Sequence, residues 1–398
     1  MVSLDKKLKG FVSLLFLAYV CYAFFTMLLG SEAPLMMRFY NITEAEQGFI
    51  TTVLSVGGIT AAVLCSLFGE RFKKLKALGF GLALLALATV LIGLAPPYLI
   101  VIVCALFAGI AYTFIDIMVS STFTQYFSSN AKTLLPMAHM FFGIGAMIGP
   151  YMMTAIVNPD LARSFTLPFL LIGGLCAVTF ALYSFSARKV STNVQATGLQ
   201  MEKGRPADAF RTKRFWTVLA GGLLYCCFTT GILAWYPTYF NETKGLSLDM
   251  SGLMLTLFFA GSLVMRFFGP FFFSRIKPQK IFIWFSMFSA LSMVLALTME
   301  NIILIGLFTV LSGAFQAFNM AALVFIGCAL FPTRHASGTS VAVFSYNIGG
   351  MIAPVLLGAL ARNMGFQIPM LLSCGFFAAG IAVIGALSVR YKKELENA

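Results

Sequence analysis

Twelve stretches of about 20 or more residues in this chain are almost wholly apolar, and that settles the solvent it must fold in. They lie near residues 10–33, 47–69, 76–95, 98–126, 133–157, 165–187, 215–239, 250–274, 280–299, 302–330, 336–361 and 366–389. Lipid offers backbone N–H and C=O groups no outside partner, so these segments are expected to cross the bilayer as helices. Apolar residues make up 60% of the 398 and charged residues only 10%. The mean hydropathy of +0.91 lies far outside the range of soluble domains. The expected fold class is an all-α membrane protein of twelve transmembrane helices.

The charges give the same count and an orientation. With both termini cytoplasmic, the inner side collects Lys6, Lys7 and Lys9, then Arg71, Lys73, Lys74 and Lys76, then Lys132. It also receives the cations between Arg188 and Arg214, then Arg275, Lys277 and Lys280, Arg334, and last Arg390, Lys392 and Lys393. Of 27 basic residues, Arg38, Arg163, Lys244 and Arg362 fall outside and Arg266 falls within a span. An odd number of spans would destroy this asymmetry. The net charge of +13 therefore points to anionic headgroups and a cell-membrane location, with the bilayer rather than nucleic acid as partner. The first apolar run is too long for a signal-peptide core and reads as an uncleaved span. All eight cysteines lie inside the expected spans and none forms a CxxC, which fits free apolar thiols. No phosphate loop, HExxH or clustered Cys/His signature occurs, so no metal site, no cofactor and no enzyme chemistry is expected.

The polar stretch Arg188–Arg214 is the one long linker. It divides the chain into an N-terminal six-helix bundle (1–187), a cytoplasmic linker (188–214) and a C-terminal six-helix bundle (215–398). The two bundles are related by duplication. At an offset of 204, Gly109 matches Gly313, Phe127-Ser-Ser-Asn130 matches Phe331-Pro-Thr-Arg334, and Gly145-Ala-Met-Ile-Gly-Pro150 matches Gly349-Gly-Met-Ile-Ala-Pro354. Asp116, in an apolar run of the first copy, falls opposite Met320 in the second. A duplicated membrane chain with an ionisable group left in one span is the pattern expected of a transporter.

Two six-span halves joined in this way resemble the major facilitator superfamily over the whole chain. The loop after span 2, Gly69-Glu-Arg-Phe-Lys-Lys74, is similar to that superfamily's loop signature, departing at Ser66 and Lys73 where glycines are usual. The matching loop of the second half, Gly269-Pro-Phe-Phe-Phe-Ser-Arg275, has no acid. Spans 4 and 5 resemble the fucose permease-like sugar:proton symporters, in Phe114-Ile-Asp116-Ile-Met-Val-Ser120 and in the His139 and Gly-rich run from Pro136 to Pro150. Ser120 stands where that branch carries asparagine. The resemblance implies two pseudo-symmetric bundles working by alternating access. It also implies that Asp116 is a proton-responsive acid, and that Glu70 and Arg71 belong to a gating salt-bridge cluster between the halves.

A carboxylate at bilayer depth costs about 2.5–3.5 kcal/mol on insertion scales, so Asp116 must face the bundle interior or be protonated. Tyr112 and Ser120 lie four residues to either side and share its helix face. His139 titrates near neutrality in its unperturbed state and is the expected second proton-coupling residue, a structural hydrogen bond being the alternative. Arg266 in span 8 suits an anionic substrate group or a counter-ion to Asp116; the alternative is snorkelling to the inner headgroups. Tyr19, Tyr22 and Thr26 form a ladder on span 1, as Tyr225 and Thr229 do on span 7. Gln316 and Asn319 share a face of span 10, and Asn347 lies mid-span 11. Amides and aromatic rings suit a polyol, so Tyr22, Tyr112, Tyr225, Arg266, Gln316, Asn319 and Asn347 are the expected substrate contacts; such groups also hold helices together. Glu32, at the outer end of span 1, is expected to be hydrated.

The first reading is a proton-coupled carrier of a small polar solute, a sugar or polyol, able to act as a monomer. The alternatives are a proton-coupled exporter of amphiphiles, suggested by 42 phenylalanines and the Gly145-xxx-Gly149-Pro150 run, and an organic anion carrier using Arg266. A non-transporting receptor or scaffold would need no buried acid. The duplication sorts these roles: glycines and prolines retained in both copies should pack, while Asp116 and His139 make the first copy the proton side.

Overall fold

The computed structural model describes residues 6–42, 44–69, 73–158, 160–194, 211–246, 248–332 and 334–396. The first half contains α1 (Lys6–Ser31), α2 (Ala33–Tyr40), α3 (Glu44–Phe68), α4 (Lys74–Gly93), α5 (Tyr98–Tyr126), α6 (Ala131–Ile156) and α7 (Thr166–Val194). The second contains α8 (Lys213–Glu242), α9 (Leu248–Phe267), α10 (Gly269–Arg275), α11 (Pro278–Thr298), α12 (Ile302–Gln316), α13 (Asn319–Leu330), α14 (His335–Met364), α15 (Gln367–Arg390) and α16 (Lys392–Glu396). Among the described residues there is no strand. Among the described residues twelve helical segments are long and apolar enough to cross a membrane, and the protein is an integral membrane protein of the expected all-α class.

Three expected spans are interrupted. The first apolar run stops at Ser31, and a separate short helix, α2, begins with a proline in its first turn. The run expected at 250–274 divides at Phe268, again with a proline in the first turn of the following α10. Proline lacks an N–H and clashes with the preceding turn, but fits the start of a helix, so each run is split there. The run 302–330 divides at Ala317–Phe318 with no proline present; the Ala317 N–H bonds back to Ala314 at 3.2 Å, a tightened turn that ends α12. In the other direction, α7 stays helical to Val194, past the expected linker start at 188, because Ala187, Arg188 and Lys189 are good helix formers with no glycine or proline among them.

The chain forms two compact units, Met1–Glu202 and Lys203–Ala398. Inside the first, α1 packs on α6 and α7, α3 on α5, and α4 on α5 and α7. Inside the second, α8 packs on α14 and α15, α9 on α12, and α11 on α12 and α15. These are the same pairs in the same order.

Lipid tails are as apolar as leucine, so helices in a membrane associate through close packing rather than escape from water. The closest crossings are carried by glycines at the repeat offset. A Cβ on Gly57 would collide with the Leu106 carbonyl, and one on Gly109 with the Leu54 carbonyl, fixing α3 against α5. In the second unit, Gly261 and Gly313 meet the carbonyls of Val310 and Phe258 in the same way. Each of these positions is its counterpart's number plus 204, so the duplication preserves a backbone contact as well as a sequence pattern.

Candidate functional site

In the first unit the polar groups converge on Tyr19 of α1. Its hydroxyl donates to Asp116 Oδ1 at 2.6 Å and lies 2.9 Å from Ser120 Oγ. A phenol has one hydrogen, so with the carboxylate taking it, Ser120 is the donor in the second contact. All three groups are buried: Tyr19 and Ser120 are 0% exposed and Asp116 5%. The Tyr19 ring also stands edge-on to His139, with centroids 5.6 Å apart, and to Tyr22 at 6.0 Å. Tyr22 stacks on Tyr112, centroids 5.2 Å apart and planes 3° from parallel, and packs on Phe142. Asp116, His139, Tyr22 and Tyr112 therefore belong to one cluster drawn from α1, α5 and α6. The i±4 spacing on α5 puts Tyr112, Asp116 and Ser120 along the face that α1 covers.

In the second unit a looser chain of polar groups runs through α8. Gln316 Nε2 donates to Thr229 Oγ1, and the Thr229 hydroxyl bonds the Tyr225 carbonyl one turn back at 3.2 Å. The Tyr225 ring packs on Phe282 and Phe377. Arg266, at the end of α9, has its Nε buried and lies within electrostatic reach of Tyr225 and Tyr346. Asn347 is buried, with Nδ2 donating to the Val343 carbonyl of its own helix at 2.9 Å. Asn319 opens α13 just after the break in span 10; it is 0% exposed, and neither amide atom has a hydrogen-bond partner. The structure thus joins Tyr225 and Gln316 through Thr229, with Arg266 within electrostatic reach of Tyr225.

Glu70 and Arg71, the expected gating pair, lie outside the described residues. The expectation for Glu32 is overturned: it is 0% exposed and Oε2 has no hydrogen-bond partner, while Ser31 Oγ sits 3.4 Å from Oε1. The physical reason is α2, which starts directly after Glu32 and packs back against α1 and α3, closing water off from the acid. Burial pushes the Glu32 carboxyl above the ordinary glutamate range, with the Ser31 hydrogen bond acting the other way.

Sequence reasoning placed Tyr19 on a ladder without making it the partner of Asp116, and it missed Tyr346. A usable signal existed for Tyr19: a buried carboxylate requires a donor, and a tyrosine hydroxyl is among the few donors an apolar span carries. Tyr346 had no such signal beyond its place beside Asn347.

A duplicated six-helix bundle with a buried, hydrogen-bonded carboxylate in one copy defines a helical membrane transporter. The Major Facilitator Superfamily profile matches residues 15–302 and 245–398, and the chain belongs to that superfamily. It is a transporter and not an enzyme. Over 379 residues it is 19% identical to the MFS-type transporter YfkL of Bacillus subtilis, covering 94% of this chain and 96% of that one. It is 22% identical to the probable sulfoacetate transporter SauU of Cupriavidus necator, covering 87% and 86%. Among solved structures, its fold is similar to FucP in the outward conformation, with a TM-score of 0.74 and 14% identity over 94% of this chain and 97% of that one. A variant of the same protein is described as the E. coli fucose:proton symporter. The proton:xylose symporter XylE superposes with a TM-score of 0.78 and 11% identity over 95% of each chain.

Proposed function

We propose that this chain is a proton-coupled secondary transporter that carries a small polar solute, a sugar or polyol, across the cell membrane by alternating access, with both termini cytoplasmic. The carrying observation is the buried Tyr19–Asp116–Ser120 contact. When Asp116 is charged it accepts the Tyr19 hydrogen; when it takes up a proton it brings its own O–H, and the three groups must share hydrogens differently. That difference gives the first unit two arrangements whose balance depends on a proton, which is what coupling to a change of access requires. His139, edge-on to the Tyr19 ring, is the second group on the proton path. Tyr22 and Tyr112 offer stacked rings to a solute, and Gln316, Asn319 and Asn347 offer amides, which suits the hydroxyls and apolar faces of a polyol. The names of the fold neighbours FucP and XylE agree with this class.

A second reading is supported by Arg266, a half-buried cation beside Tyr225 and Tyr346 that suits a carboxylate or sulfonate group. The name of SauU agrees with it.

The test is purified protein screened for thermal stabilisation by sugars, polyols, carboxylates and sulfonates, followed by proton uptake in liposomes with the stabilising compound. Asp116→Asn should reduce solute-driven proton uptake to the level of empty liposomes while leaving solute-induced stabilisation measurable. Unchanged proton uptake in that variant overturns the coupling role. Stabilisation by carboxylates alone, abolished by Arg266→Ala, selects the organic anion reading over the polyol.

A further inference from the structure

Between α8 and α15 of the second unit runs a groove of about 410 Å³, lined by Arg211, Lys213, Trp216, Thr217, Ala220, Val383 and Arg390. Its chemistry changes along its length. Lys213 begins α8 and Arg390 ends α15, so with Arg211 the three cations gather at one end of the helix pair. Ala220 lies two turns into α8, and Val383 two turns back along α15, so the lining becomes apolar toward the middle of the bilayer. Lys213, Trp216 or Thr217, and Ala220 follow one another at helical spacing on a single face of α8, and Val383 and Arg390 do so on α15.

All three cations are exposed, and none forms an ion pair among the described residues. The ion pair that is described at this end joins Arg214 to Glu394 at 3.3 Å, so the nearby acid is already engaged. Arg390 rests over the Tyr391 ring at 5.7 Å, which leaves its guanidinium edge available. Trp216 is 54% exposed at the same level, where an amphipathic indole is suited to the headgroup boundary.

We infer that this groove binds an anionic phospholipid of the leaflet into which the basic ends of α8 and α15 project. Arg211, Lys213 and Arg390 hold the headgroup phosphate, and Trp216, Ala220 and Val383 line the start of an acyl chain. A free phosphate would satisfy the cations and leave the apolar half of the groove unused; a zwitterionic lipid carries the same phosphate beside a headgroup cation of its own, which the three basic side chains repel. Only an anionic lipid matches both ends.

The full-length protein, stripped of lipid in detergent, should be titrated with phosphatidylglycerol and with phosphatidylcholine of the same chains, and bound lipid counted by native mass spectrometry. Phosphatidylglycerol is expected to bind at least about tenfold more tightly. Neutralising one cation, as in Lys213→Gln or Arg390→Gln, should weaken it about fivefold, from about 1 kcal/mol per basic residue at an anionic surface. The triple variant R211Q/K213Q/R390Q should bind both lipids alike, while the lipid-free protein unfolds at the wild-type temperature. Lys277→Gln with Lys280→Gln, at a different place, should leave the preference intact. Equal phosphatidylglycerol binding by wild type and triple variant overturns the site. So does an equal loss in the Lys277/Lys280 control, or full displacement by an equal concentration of inorganic phosphate. If the triple variant does not fold, the two single variants decide by the same criterion.

Discussion

Tyr19 and Asp116 meet where no water can stand in for either, and this makes their hydrogen bond more consequential than the same contact at a surface. Removing a donor from a buried charged acceptor costs about 1.5–3 kcal/mol, because the acceptor keeps its desolvation cost and loses its compensation. Tyr19→Phe is therefore expected to lower the unfolding free energy by an amount of that order, read as a lower thermal unfolding midpoint than wild type. Glu32 is a different case, a buried acid with one oxygen left without a partner. Since its carboxyl is held above the ordinary value of about 4.5, the native state keeps that proton more firmly than the unfolded chain does. Its contribution to stability is present at acid pH and is lost as pH rises from the ordinary value through the raised one. Thermal unfolding followed from about pH 5 to about pH 8 should show the wild type losing stability relative to Glu32→Gln. Parallel curves would sink this account. Asp116 was legible in the sequence because a charge in an apolar run is conspicuous. The burial of Glu32 was not, since it depends on where α2 turns.

At the scale of elements, the close crossings are the feature that the duplication preserved. Gly57, Gly109, Gly261 and Gly313 press against carbonyl oxygens of neighbouring helices, and backbone cannot rotate out of the way as a side chain can. Gly109→Ala or Gly313→Ala should therefore cost about 1–3 kcal/mol through forced separation of the helices. Gly174 of α7 has nothing within 4 Å of its would-be Cβ. Gly174→Ala should be neutral or stabilising by about 0.5–1 kcal/mol, since alanine is the better helix former. Equal effects at Gly109 and Gly174, measured by thermal unfolding in one detergent, would remove the crossing explanation. The repeat in the sequence identified Gly109 and Gly313 as a pair but not what they touch. The prolines at 34 and 270 announced possible helix starts, yet the break at Ala317–Phe318 carried no local signal. It lies among packed rings, with Phe318 within 5.7 Å of Phe272, Phe273 and Phe285, and such packing is decided by other helices.

At the scale of the whole molecule, the distribution of basic residues predicts that both termini face the cytoplasm. A reporter protein that fluoresces only when folded in the cytoplasm should be bright when fused after Ala398 and dark when fused into the loop around Arg163; the reverse would invert the orientation. The sequence by itself determined the solvent, the number of crossings, the two-fold duplication and the residue in each copy that is chemically out of place. It did so because lipid punishes every uncompensated polar group, so hydropathy and charge must be written along the chain. The tertiary structure alone decided that Asp116 and Ser120 are both met by Tyr19, that Arg266 lies within electrostatic reach of Tyr225 and Tyr346, that Glu32 is enclosed, and that a basic groove opens between α8 and α15. Each of these is a relation between separate elements, set by side-chain packing across an interface that no local pattern encodes.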